Sequence, residues 1–176
     1  MFVQIIEGRT SDAERLKKNG DRWQQDLAPG AIGFLGVTAG VTPNGYSITI
    51  ARFESEAAAR ANGERPEQGA WWADMAGCYD GDIAFTESSD VELVMGGGSN
   101  DATFVQVMKS VDVDRAVVNR LDAQFTKFAA LRPDLLGSTR IWTGPASCYE
   151  AAFHQRSRGP GRRAGRNPAR AAGDDG

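Results

Sequence analysis

The polar groups best placed to do chemistry in this sequence sit inside apolar stretches. Gln4 lies within Phe2-Val3-Gln4-Ile5-Ile6 and Gln106 within Phe104-Val105-Gln106-Val107-Met108. An amide in the middle of a strand-like run either orients a ligand or bonds a neighbouring polar group or buried water. The Phe2, Gln4, Ile6 alternation puts Gln4 on one face, read as the interior side of its sheet, with Val3 and Ile5 on the other. Arg52 ends the series Tyr46, Ile48, Ile50; it either binds a substrate oxyanion or extends its head to solvent. Trp71 and Trp72 are adjacent, about 100° apart on a helix, so they cannot share one role. Burial against a core or a helix seam is the ordinary use of such rings.

Other chemistries are excluded by what is missing. His154 is the one histidine, which removes a serine-histidine-aspartate triad and leaves Cys78 without an activating base. Cys78 and Cys148 are far apart with no Cys-x-x-Cys spacing, which argues against a disulfide framework and a zinc ribbon and fits a reducing compartment. No carboxylate-histidine cluster has metal-ligand spacing, so no metal is expected. Gly96-Gly97-Gly98 precedes a strand rather than a helix N-terminus, so it reads as a linker, not a phosphate cradle.

The elements that must carry these groups follow from pattern. Phe2 to Glu7 reads as a strand and Ser11 with Glu14 as a capping box. Leu16, Trp23 and Leu27 mark one face of a helix that ends at Pro29-Gly30. Residues 31–38 read as a strand, and Asn44-Gly45 signals a tight hairpin with positive φ at both central positions. Tyr46, Ile48 and Ile50 follow as the third strand. A second helix starts at Ser55, breaks at Asn62-Gly63 and restarts at Pro66. Ile83 and Phe85, then Val91, Leu93 and Met95, are extended. The order β-α-β-β-α-β is the split βαβ arrangement.

The chain then repeats itself. Phe2-Val3-Gln4-Ile5-Ile6 returns as Phe104 to Met108, Asp12-Ala13-Glu14-Arg15 as Asp112-Val113-Asp114-Arg115, Pro29 and Gly33 as Pro133 and Gly137, and Ala51-Arg52-Phe53 as Ala151-Ala152-Phe153. Val117, Leu121, Phe125 and Phe128 give the second copy an amphipathic helix, and strands are expected over 135–142 and 147–153. Beyond that, residues 156–176 contain six Arg, two Asp and no large apolar residue. The organisation read from this is a first repeat over 1–95, a linker over 96–101, an incomplete second repeat over 102–153 and a basic tail over 154–176. That tail is either genuinely disordered or out of frame with the ancestral copy.

At 176 residues, with 41% hydrophobic and 24% charged residues, the chain has the composition of a globular protein with a buried core. Its net charge of −3 conceals an acidic body of about −7 once the tail's +4 is subtracted. A body without a basic stripe is a poor partner for nucleic acid. No apolar run approaches the roughly 20 residues that span a bilayer, and the first residues lack a leader pattern, so no membrane and a cytoplasmic location are expected.

The doubled β-α-β-β-α-β pattern, together with Arg65-Pro66-Glu67-Gln68-Gly69-Ala70-Trp71-Trp72 and Gly96-Gly97-Gly98 before Phe104-Val105-Gln106, resembles tandem actinobacterial proteins of the antibiotic-biosynthesis-monooxygenase-like group. The resemblance spans 1–153. It implies an α+β fold of two ferredoxin-like repeats packed as a dimeric α/β barrel, the second repeat truncated. It also implies a cofactor-independent monooxygenase acting on a small aromatic or quinol compound, with Asn62, Trp72 and Tyr79 as catalytic residues and Gln4, Arg52, Trp71 and Gln106 as substrate-binding ones. The group's haem-degrading branch relies on a histidine, which here is His154 alone. The alternative is a non-catalytic barrel that binds a small apolar ligand or serves in assembly. A truncated second half leaves an open sheet edge, through which a homo-oligomer is expected.

Overall fold

The computed structural model describes residues 1–128 and 131–155. Strand β1 (Phe2–Arg9) leads into helix α1 (Ala13–Asp26), a short 3-10 turn (Ala28–Gly30), β2 (Phe34–Val41) and β3 (Tyr46–Phe53). Helices α2 (Glu56–Gly63) and α3 (Pro66–Ala76) follow, then β4 (Ala84–Ser88) and β5 (Val91–Val94). The second half comprises β6 (Phe104–Ser110), α4 (Arg115–Phe128), β7 (Leu135–Gly144) and β8 (Ser147–His154).

The strands form two antiparallel four-stranded sheets, ordered β2-β3-β1-β4 and β5-β7-β8-β6. The fold is therefore α+β and ferredoxin-like. Val3, Ile5 and Ile50 of the first sheet meet Ile141, Tyr149, Ala151 and Phe153 of the second in one core. Since successive strand residues point to opposite faces, Phe2, Gln4 and Ile6 turn towards the helices instead. Phe2 packs with Phe53 and Ala59. This reverses the face expected for Gln4: the inter-sheet interior belongs to Val3 and Ile5.

The chain passes between sheets at Ser88–Asp90, where Ser88 Oγ donates to the Trp142 carbonyl at 2.5 Å and Trp142 N donates to the Asp90 carbonyl at 2.9 Å. Strand β5 then pairs with β7, so Val91 to Val94 belong to the second sheet although residue 95 was expected to close the first repeat. These two bonds tie the sheets together beside the crossover, although β4 and β5 belong to different sheets. On the other side of the barrel, β2 and β6 each have a single strand neighbour among the described residues.

Local rules act through slightly different residues than the pattern implies. Asp12 rather than Ser11 caps α1, its side chain accepting from Arg15 N at 2.9 Å. The second strand starts at Phe34, because Ala28–Gly30 take a 3-10 turn first. Asn44 keeps negative φ and only Gly45 is left-handed, at +80°; Gly45 N bonds the Thr42 carbonyl with Pro43 and Asn44 between them. This is a type I turn closed by a left-handed glycine rather than the tighter two-residue form. A Cβ on Gly45 would meet the Thr10 carbonyl oxygen at 2.4 Å, which fixes glycine there independently of φ.

The duplication holds in three dimensions, with the sequence matches displaced. Phe2 faces Phe53 and Phe104 faces His154, so Arg52 corresponds to Phe153, not Ala152. The caps Asp12 and Asp114 correspond, each opening a helix of 14 residues. Gly36 and Gly137 occupy the same bulge beside Arg52 and Phe153, so Gly36, not Gly33, is the partner of Gly137. Short matches cannot show the loop insertions that shift them. Phe125 and Phe128 lie outside the described side chains, and residues 156–176 lie outside the described residues. His154, assigned to the tail, is the last residue of β8.

Candidate active site between the first sheet and its helices

A cavity of about 510 Å³ lies between the helix-facing side of the first sheet and α1, α2 and α3. Its wall is a chain of aromatic rings. Phe53 and Phe34 have centroids 5.5 Å apart, Phe34 and Trp23 4.7 Å, Trp23 and Trp71 6.2 Å, Trp71 and Trp72 5.9 Å, and Trp72 and Phe85 5.3 Å, all tilted or edge-on. Such rings present both faces and edges to a flat apolar guest. Both tryptophans line this one cavity from neighbouring directions, Trp71 held by its Nε1 donating to the Asn19 carbonyl at 3.0 Å.

The polar groups at the wall are neutral amides. Asn62, buried on α2, lines it and accepts from Arg65 Nη1 at 2.9 Å through Oδ1. Gln68 accepts from Trp23 Nε1 at 2.6 Å. Gln4 donates to Glu87 at 2.8 Å, and Glu87 in turn binds Arg60 at 2.5 Å, so this amide is already oriented by a neighbour. The ionisable residues among the described lining are Lys17 and Asp21, an exposed i,i+4 pair at the rim.

The other expected residues are elsewhere. Tyr79 is buried with its ring over Gly8, where a Cβ would come within 2.5 Å of it; it is absent from the cavity wall. Burial raises its phenol pKa, and the Ser47 and Thr49 hydroxyls lie near it, although neither Tyr79 OH nor Ser47 Oγ has a well-formed bond. Gln106 is exposed on β6. Arg52 points between the sheets, with Nη1 donating to Thr38 Oγ1 at 2.9 Å. Cys78 and Cys148 are free and buried. Among the described residues no group of His, Cys, Asp and Glu is arranged to hold a metal, and no helix is long and apolar enough to cross a membrane.

Sequence reading missed a polar cluster in the inter-sheet core. Glu7, 6% exposed, accepts from Tyr149 OH at 2.7 Å and from Tyr46 OH, with Lys109 Nζ 3.3 Å away. Burial pushes its carboxyl up, but these donors outweigh it and hold the pKa below the usual value. Burial and Glu7 push the Tyr46 phenol up to about 12. The available signal was Glu7 and Lys109 at matching positions of the repeated strand with opposite charge.

No protein-family model and no curated protein matches the sequence. Solved structures do match the fold. A protein from Lactobacillus acidophilus named as a candidate monooxygenase superposes with a TM-score of 0.66 at 13% identity, over 87% of this chain and 76% of its own. One from Fusobacterium nucleatum, named in the same way, gives 0.66 at 12% over 87% and 75%. A Streptomyces coelicolor monooxygenase solved with nanaomycin D matches 49% of this chain and 83% of its own, with a TM-score of 0.42 and 19% identity. At such identities the likeness is one of fold alone, shared with the Lactobacillus and Fusobacterium structures over 87% of this chain.

Proposed function

We propose that this chain is a cofactor-independent monooxygenase-like protein acting on a small aromatic or quinol compound. The observation that carries the reading is the cavity of about 510 Å³ walled by Trp23, Trp71, Trp72, Phe34, Phe53 and Phe85 with Asn62 projecting into it. A flat phenolic ring stacks against Trp72 and Trp71, and the Asn62 amide N–H bonds the oxyanion of its deprotonated form, stabilising the charge as it reacts with dioxygen. A naphthohydroquinone and dioxygen would give a hydroxynaphthoquinone and water, the electrons coming from the substrate. Tyr79 acts by holding β1 under the cavity, not by touching substrate.

A second reading is a binding protein without catalysis, favoured by the lack of an ionisable group in the wall beyond the Lys17–Asp21 pair. Oxygen uptake with a naphthohydroquinone panel separates the two. Uptake above autoxidation that falls at least tenfold in Trp72→Ala and Asn62→Ala, with the product gaining one oxygen, supports the enzyme. Uptake at the buffer rate with saturable quenching of tryptophan fluorescence assigns the cavity to binding alone. Self-association through the β2 and β6 edges completes the proposal, since edge strands template further pairing.

A further inference from the structure

Arg52 occupies an unusual place for a cation. Of the arginines that are buried or half-buried among the described residues, Arg65 meets Glu67, Arg115 meets Asp90 and Glu92, and Arg140 meets Asp122, Glu150 and Glu92. Among the described residues Arg52 meets no carboxylate, and its one bond is to the neutral Thr38 hydroxyl. Burial lowers its pKa without an offsetting partner. A guanidinium offers five N–H donors in a planar fork suited to a carboxylate. Leaving it half-buried on one neutral bond costs stability unless an anion completes it.

The space for that anion exists. A cleft of about 530 Å³ opens between the two sheets, on the opposite face of the first sheet from the aromatic cavity, and contains Arg52, Thr38, Thr139, Asn100, Val105 and Phe153 in its wall. No acidic residue lines it. Arg52 and Phe153 are equivalent positions of the two repeats by strand register, as are Thr38 and Thr139. The cleft thus has matched halves with a cation in one and an aromatic ring in the other. The bulge glycine Gly36 keeps the approach to Arg52 open, since a Cβ there would lie 3.3 Å from Nη2.

We propose that this inter-sheet cleft binds a small organic carboxylate, its anionic head on Arg52 and its apolar body on Val105 and the exposed Leu93. The cleft borders the aromatic cavity at Val37 and Ala39 of the edge strand β2, but Arg52, Thr38, Val105 and Phe153 line the cleft alone, and the proposal does not rest on what the cavity does. The test is a titration of the full chain with hexanoate and, separately, hexanamide, followed by backbone amide chemical shifts at low ionic strength. Saturable shifts at Gly36, Thr38 and Asn100 with hexanoate, at least tenfold weaker with hexanamide and in Arg52→Gln, are expected. The amide comparison needs no variant and so survives a folding defect in Arg52→Gln. The proposal is overturned if no residue shifts, if acid and amide bind alike, or if the shifts fall on Trp71 and Trp72 and persist in Arg52→Gln. A change in oligomeric state in Arg52→Gln without loss of hexanoate shifts would also overturn it, placing the arginine at a contact between copies.

Discussion

The layer between sheet and helix is a cavity in the first half of the molecule and an ion cluster in the second, although both are built on the same strands. Strand register makes Ala39 and Thr49, paired across β2 and β3, the counterparts of Arg140 and Glu150, paired across β7 and β8. Equal caps make Gly20 of α1 the counterpart of Asp122 of α4. Gly20, Ala39 and Thr49 all line the aromatic cavity. In the second half Arg140, 6% exposed at its side chain, binds Asp122 at 2.5 Å and Glu150 at 3.0 Å, and Arg115 lies 4.7 Å over the Trp142 ring. Three small side chains leave space for a guest where three charged ones fill it. Side-chain volume at three positions separates the two layers where their elements correspond, and the cavity's far wall, supplied by α2 and α3, has no counterpart in the second half among the described residues.

That contrast is broken most severely at Arg140. Burial alone would lower its pKa, but Asp122 and Glu150 outweigh that and raise it. Arg140→Ala removes the buried cation from two partly buried carboxylates and should cost about 3 kcal/mol in urea unfolding, at the low end for a broken buried pair because both partners retain some solvent. The triple change Arg140→Ala, Asp122→Gly, Glu150→Thr, which copies the first half, should recover at least half of that loss. A triple variant no more stable than Arg140→Ala would show that the cluster does not act as a unit. The reciprocal change, Ala39→Arg, adds a long cationic side chain where the edge strand β2 borders the cavity. Because Ala39 is exposed, the guanidinium reaches solvent at little cost in stability, and the change should weaken fluorescence quenching by a naphthohydroquinone at least tenfold; undiminished quenching would place the guest elsewhere.

A smaller effect sharpens the comparison at Glu7 and Lys109, the repeat mates of opposite charge. Because the Glu7 pKa is depressed from 4.5, its stabilisation is fully present above that value and is lost as pH falls through the folded-state pKa below it. Glu7→Gln should therefore cost about 1 kcal/mol at neutral pH, with the two unfolding free energies converging below pH 4.5. Parallel curves down to low pH would mean that the carboxylate charge is not what Tyr149, Tyr46 and Lys109 stabilise.

The sequence carried much of this and hid the rest for physical reasons. Alternation, caps and the split second helix were readable because each is local. The duplication was readable from Phe2 to Ile6 against Phe104 to Met108, yet the correspondences of Arg52 and Gly137 were off by one and by three residues, since a bulge or an altered loop changes register without changing composition. The aromatic site was half legible. Trp71, Trp72 and Asn62 share a helical neighbourhood in the chain, whereas Trp23 joins them through the packing of α1 on α3, and Phe34 and Phe85 through the sheet. Gln4 was placed on the wrong face because alternation separates two faces without saying which one a second sheet will cover.

The two halves also differ in what covers their helices, and this sets the smallest expected effect on stability. In the first half α3 packs on α1, burying Leu16 with Met75, Cys78 and Tyr79. Among the described residues no helix plays that part for α4, and Leu121 is 56% exposed with Val117 and Met108 at 38%. Residues 156–176 contain no large apolar side chain. Leu121→Ser should change unfolding free energy by no more than about 0.5 kcal/mol, because little area is removed from water at that position. If α4 lies in a contact between copies, the same substitution should shift size-exclusion elution towards the monomer, since an exposed apolar patch beside an open strand edge is a surface for association. Leu16→Ala, by contrast, should lower stability by about 3 kcal/mol with no change in association. A Leu121 variant as destabilised as the Leu16 one would mean that the α4 face is buried within the monomer, and the difference between the two halves would then be one of residue identity alone.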